Sequence, residues 1–150
     1  AIYLPRHSQL QTMKISTYIP FLAAILLAVP LHAQKRQPLV SPEIRLEAAQ
    51  SYLQNQPDQI GVYAKGLVCS SCGIGLRVHL SKLYSINKKQ FKKGVFLDAS
   101  KQLLILALKP DTAPDIGAIR QAIVDAGYDP SQYFLWKDGE VEMHPFAEDK

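Results

Sequence analysis

The order in which apolar patterns follow one another between residues 60 and 137 constrains the fold of this chain most strongly. An alternating, strand-like pattern comes first, followed by a helical period, two apolar strand-like runs, a second helical period and a short last strand. Two helices distributed in this way among four strands predict an α+β domain. We expect a ferredoxin-like βαββαβ sandwich, with both helices on one face of a four-stranded antiparallel sheet.

Each predicted element rests on a short set of apolar residues. In chain order these are Ile60, Val62 and Ala64; Leu76, Leu80 and Leu83; residues 95–97; residues 103–108; Ile116, Ile119 and Ile123; and residues 133–136. The second helix is predicted to begin at Asp115. It is predicted to end at Gly127, because a glycine can adopt the left-handed conformation that closes a helix. We expect the sheet face beneath the helices to be supplied by Val62, Leu97, Ile105 and Phe134.

The N-terminal segment has the pattern of a secretory signal peptide. Lys14 precedes an apolar run at residues 15–31, and the small residue Ala33 follows soon after. We predict a signal at residues 1–33, cleaved after Ala33, in which Met13 is the natural start and residues 1–12 are an upstream extension. The expected location is periplasmic or secreted. The alternative is an uncleaved membrane anchor at residues 15–31, since this run nearly has the length that crosses a bilayer.

The segments on either side of the domain are predicted to be less ordered. Residues 34–59 are polar and predict a linker with one short helix, which begins at Ser41 and is ended by Pro57. Ile44, Ala48 and Tyr52 recur on one side of that helix, so it either packs loosely on the domain or lies in solvent. Residues 138–150 are predicted to be an acidic, frayed tail.

Composition and charge exclude some function classes. The chain has a formal net charge of +4, with 47% hydrophobic and 20% charged residues, which is typical of a globular protein. Its densest positive region consists of Lys82, Lys88, Lys89, Lys92 and Lys93. We interpret this cluster as a solvated helix end and loop, and we do not expect nucleic-acid binding. No Ser/His/Asp or paired-carboxylate constellation stands out, so we do not expect an enzyme.

The two cysteines of the chain, Cys69 and Cys72, carry the strongest chemical signal. They stand three positions apart, between a predicted strand and a predicted helix. A helix N-terminus favours a thiolate over a thiol, and this spacing lets both sulfur atoms point at one ion. Two thiolates suit Cu(I) or Hg(II) better than Zn(II), which normally takes four ligands. After export the pair could also form a local disulfide.

The loop sequence around the cysteines resembles that of a known family. Residues 66–72, Gly-Leu-Val-Cys-Ser-Ser-Cys, resemble the Gly-Met-x-Cys-x-x-Cys loop of heavy-metal-associated domains. Residues 126–128, Ala-Gly-Tyr, resemble the end of the second helix in bacterial members, and the order of elements matches over residues 60–136. An exported single copy is most similar to the mercury-binding and copper-chaperone-like members.

This resemblance implies a set of site residues and a function. Cys69 and Cys72 would bind one soft ion, Cu(I) or Hg(II), with Gly66, Leu67 and Tyr128 supporting the loop. Leu67 stands where the family usually has methionine, which is a volume-conserving exchange. The expected function is a non-enzymatic carrier that hands its ion to a metal transporter or another exported metalloprotein. The alternatives are a thiol-disulfide exchange module and a domain in which the pair is a permanent disulfide.

Overall fold

The computed structural model describes residues 39–147, so the predicted signal segment lies outside the described residues. The described part of the chain is an α+β structure with three α-helices and one five-stranded antiparallel sheet. The elements are α1 (Pro42–Leu53), β1 (Gln59–Lys65), a 3-10 turn (Ser70–Cys72), α2 (Gly73–Leu80), β2 (Val95–Asp98), β3 (Leu103–Ala107), α3 (Ile116–Asp125), β4 (Asp129–Lys137) and β5 (Glu140–Pro145).

Strand β1 lies at the centre of the sheet, whose order is β2-β3-β1-β4-β5. Residues that face each other across neighbouring antiparallel strands project their side chains to the same face. Val62 pairs with Leu104 on one side and with Tyr133 on the other, whereas the adjacent Gly61 pairs with Ile105 and Phe134. The sheet therefore has two different apolar faces.

Helices α2 and α3 pack against one of these faces. The core on this side contains Leu76 and Leu80 from α2, Ile119 and Ile123 from α3, and Val62 from the sheet. Leu97 packs against the same core. Ile105 and Phe134, however, belong to the core on the other face, so the prediction that they lie beneath these helices is wrong. The pairing register places them with Gly61, one residue out of phase with Val62.

Helix α1 covers the second face, where the sequence predicted a loosely packed or solvated helix. Its buried residues are Ala48, Ala49 and Leu53, which share a core with Tyr63, Leu103, Ile105 and Phe134. Ile44 is 43% exposed, so the apolar side of the helix is rotated from the predicted one. As a result, every residue of β1 from Ile60 to Ala64 is buried. The alternating sequence pattern of this strand indicated one buried face, whereas both faces are covered.

Polar contacts also attach α1 to the sheet. The Arg45 guanidinium donates to the Gln132 side-chain oxygen over 2.6 Å and stacks on the Tyr63 ring at 4.1 Å. The Tyr52 hydroxyl donates to the Asp98 carboxylate over 3.0 Å. Burial raises the pKa of Asp98, but hydrogen bonds from Ser100, Tyr52 and two backbone N–H groups outweigh it, so the pKa lies below its usual range. These contacts fix the helix on the sheet.

The segment predicted as a frayed tail contains strand β5, so the predicted number of four strands is too low. Strand β5 pairs with β4 along its whole length, and Phe146 just beyond it is buried in the core beneath α2 and α3. The two strands are joined by Asp138 and Gly139, which both have positive φ (50° and 91°). Asp-Gly in a two-residue loop is a strong hairpin signal, and the acidic composition of the segment obscured it.

In the part of the chain that the structure describes, no helix combines the length and the apolar character needed to cross a membrane.

Candidate functional site

The candidate site is the loop that connects β1 to α2. Gly66 has a φ of +88°, a conformation that glycine adopts without strain. The turn at this position sends Leu67 into the core, where it is fully buried, and leaves the next residue, Val68, 38% exposed. One buried apolar side chain therefore anchors the loop, and the residues after it reach the surface.

Cys69 and Cys72 lie together at the end of this loop. Their Cα atoms are 5.4 Å apart, and the Cys72 N–H donates to the Cys69 carbonyl over 3.1 Å. Cys69 is exposed, whereas Cys72 is partly buried against the core at the start of α2. The Cys69 sulfur lies 3.1 Å from the Ser71 hydroxyl. Cys69 is thus open to solvent, whereas Cys72 is partly covered where α2 begins.

The two sulfur atoms are bonded to each other as a disulfide. A disulfide has no free thiolate, so a soft ion can be bound only after the pair has been reduced. The short loop that this bond closes contributes little to stability through chain entropy. We therefore expect the fold to persist when the bond is reduced.

Tyr128 lies next to this pair. Its hydroxyl donates to the Cys72 carbonyl over 3.3 Å, and its ring carbon Cδ1 would be 3.7 Å from a Cβ atom placed on Gly66. Gly127, with a φ of +89°, ends α3 and turns the chain so that Tyr128 points back toward the loop. The structure thus brings Gly66, Cys72 and Tyr128 together, although they are far apart in the sequence.

The sequence analysis missed one side chain at the site, Arg77. Its guanidinium folds back along α2 onto Gly73, the residue that follows Cys72. A Cβ atom on Gly73 would lie only 2.6 Å from Arg77 Nη1 and 3.0 Å from Cζ. The four-residue spacing of Gly73 and Arg77 within a helix was the available signal, because side chains lean over the preceding turn.

Beside Arg77 lies a shallow groove of about 340 Å³. It is lined by Ile74, Arg77, Val78, Lys92 and Lys93. Ile74 is 66% exposed and Val78 is 43% exposed, so this side of α2 is open. The sequence analysis interpreted the lysine cluster as a solvated helix end and loop. Two of these lysines, Lys92 and Lys93, lie close to α2, the helix that begins just after Cys72.

Comparison with protein-family models, with curated proteins and with solved structures finds no match for this chain. The resemblance to heavy-metal-associated domains therefore stays a prediction. Among residues 39–147 there is also no cluster of three or more His, Cys, Asp or Glu side chains arranged to hold a metal ion.

Replacing Tyr128 by phenylalanine tests whether this residue supports the loop or only fills the core. The ring volume is kept, so the domain should stay folded, and one hydrogen bond to the Cys72 carbonyl is lost. We expect a loss of about 0.5–1.5 kcal/mol in unfolding free energy and a change in the metal dissociation constant of the reduced protein. Tyr84→Phe is the matched control, because Tyr84 is 81% exposed. Unchanged metal binding in Tyr128→Phe would mean that Tyr128 is a core residue only.

Proposed function

We propose that this protein is an exported carrier of one soft metal ion, which it binds through the reduced thiolates of Cys69 and Cys72. The observation that carries the proposal is the unequal exposure of the two cysteine residues at a strand-to-helix loop. The partly buried cysteine at α2 fixes the ion on the protein. The exposed cysteine leaves the ion open to an incoming ligand.

The proposal includes a ferredoxin-like core for this domain. Strands β1 to β4 stand in the order β2-β3-β1-β4, and α2 and α3 pack against the same core on one face of the sheet. This strand order and the shared helix face support the proposed split βαβ core. Helix α1 and strand β5 are then additions to that core, one on the opposite face and one at the edge.

Transfer would proceed by ligand exchange. A thiolate of the acceptor adds to the ion beside the exposed Cys69, giving a three-coordinate ion, and Cys69 then dissociates. A second ligand of the acceptor displaces Cys72 in the same way, so the ion leaves with two acceptor ligands. Soft ions accept two or three thiolates readily, whereas Zn(II) would need further ligands. The exposed Val68 and Ile74 flank the pair, so an acceptor can approach. The acceptor class is a metal transporter or another exported metalloprotein.

The disulfide favours a second candidate, a thiol-disulfide exchange module. In that function one thiolate of the reduced pair attacks a substrate disulfide, and the second displaces the product thiol and closes the bond between Cys69 and Cys72. The two functions use the same sulfur atoms and differ in what the reduced pair does. A carrier binds an ion tightly, whereas an exchange module turns over disulfides.

The test compares both activities in the same reduced, oxygen-free protein. We expect one equivalent of Cu(I) or Hg(II) to bind in competition with a chelator, Zn(II) to bind far more weakly, and oxidised protein to bind none. Reduction of insulin by the domain should be slow. Weak ion binding together with rapid insulin reduction would overturn the carrier and favour the exchange module.

A further inference from the structure

The geometry of α2 holds a positive charge over Gly73, the first residue of this helix. The Arg77 guanidinium rests on the backbone of Gly73, where the absence of a side chain leaves room for it. Gly73 directly follows Cys72. Any larger residue at position 73 would push the guanidinium away, because its Cβ would be 2.6 Å from Nη1.

Carboxylates do not neutralise this charge within residues 39–147. The Arg77 Nε atom is buried and has no hydrogen-bond partner there, and Arg77 forms no ion pair with the described acidic residues. The same holds for Lys92 and Lys93, which line the adjoining groove with it and form no ion pair with those residues. The carboxylate that follows Tyr128, Asp129, is paired with Lys65 over 3.0 Å. The positive charge of Arg77 at the start of α2 is therefore not compensated by a described carboxylate.

The net charge of the loaded site depends on the ion. Two thiolates carry a charge of −2, so binding of Cu(I) leaves a complex of −1, and binding of Hg(II) leaves a neutral one. A nearby cation attracts the charged complex and has no net charge to attract in the neutral one. A fixed guanidinium thus distinguishes a monovalent from a divalent soft ion even though both take the same two sulfur ligands.

We propose that Arg77 is a specificity-determining residue, held in place by Gly73, that shifts the site toward monovalent soft ions such as Cu(I). This inference rests on the proposed function, since it assumes that the reduced pair binds an ion. The thiolate chemistry alone leaves both Cu(I) and Hg(II) as candidates. This inference selects the monovalent class.

The quantity that tests the proposal is the ratio of the Cu(I) and Hg(II) dissociation constants of each variant, relative to wild type. Both ions need both thiolates, so a change in thiol protonation moves the two constants together and cancels in the ratio. In Arg77→Met we expect the Cu(I) constant divided by the Hg(II) constant to rise by about fivefold over wild type, the size of a partly screened surface charge interaction. This change in the ratio should shrink as salt is added.

Three further variants separate charge from packing. Arg77→Lys keeps the charge and should keep most of the Cu(I) preference. Gly73→Ala keeps the arginine but displaces its guanidinium, so it should lose part of the preference even though alanine favours the helix. Lys109→Met removes a cation that lies over Tyr84, at the far end of β3 from the loop, and should leave the ratio unchanged.

The outcomes distinguish this inference from the function on which it rests. An unchanged ratio in Arg77→Met, in protein that binds both ions tightly, would overturn the role of Arg77 and leave the carrier intact. A wild-type protein that binds neither ion would overturn the carrier itself and this inference with it. Equal changes in Arg77→Met and Lys109→Met would mean that net charge alone matters, which also contradicts the proposal.

Discussion

Reduced protein with Cys72 changed to serine is expected to bind Cu(I) roughly a hundred- to a thousandfold more weakly than wild type. Structural zinc sites with four protein ligands bind with about 10–16 kcal/mol, so one ligand accounts for roughly 2.5–4 kcal/mol. A neutral hydroxyl does not replace a thiolate toward a soft ion. The change should leave the fold intact, because serine is small and Cys72 is only partly buried. Competition with a coloured Cu(I) chelator measures the effect.

Cys69→Ser should give a loss of the same order, since two sulfur atoms share the ion. Ser71→Ala is the matched control: Ser71 is exposed and its hydroxyl touches the Cys69 sulfur, but it is not a ligand. Loss of that one contact should change the Cu(I) constant by less than about tenfold. If both cysteine variants bind Cu(I) as tightly as Ser71→Ala, the pair is not the binding site.

The loop could be predicted from the sequence because its signals are local. A glycine, a large apolar residue and a Cys-x-x-Cys pair stand within seven positions, and the structure has Gly66 at positive φ and Leu67 buried. Tyr128 came from the resemblance alone, since nothing near it in the sequence links it to Cys72. Arg77 was missed because its importance depends on where its guanidinium rests, and only the structure gives that contact with Gly73.

The faces of the sheet were harder to predict than its strands. Each of the first four strands was recognised from its own apolar residues, but the register between strands decides which residues share a face. Ile105 and Phe134 were assigned to the wrong side for this reason. Helix α1 was misjudged because its burial depends on two alanines, which give a weak apolar signal, and on the gap that Gly61 leaves above the sheet.

Truncation of Leu53 to alanine is expected to lower the free energy of unfolding by about 2–5 kcal/mol. Leu53 is fully buried between α1 and the sheet, and its Cδ1 atom would lie 3.3 Å from a Cβ atom on Gly61. No neighbour can easily fill the space left behind, because the sheet beneath is rigid and the facing residue is a glycine. Since domains of this size are stable by only about 5–15 kcal/mol, the urea midpoint should fall sharply.

Ile44→Ala provides the control on the same helix. Ile44 is 43% exposed, so its truncation should change the unfolding free energy by no more than about 0.5 kcal/mol. Folded Leu53→Ala protein should still bind Cu(I) with wild-type affinity, because α1 lies on the face of the sheet opposite α2. A cavity in a close-packed core costs more than about 1 kcal/mol. If Leu53→Ala lowers the unfolding free energy by less than this, α1 is not tightly packed, and the loosely attached helix expected from the sequence is the better description.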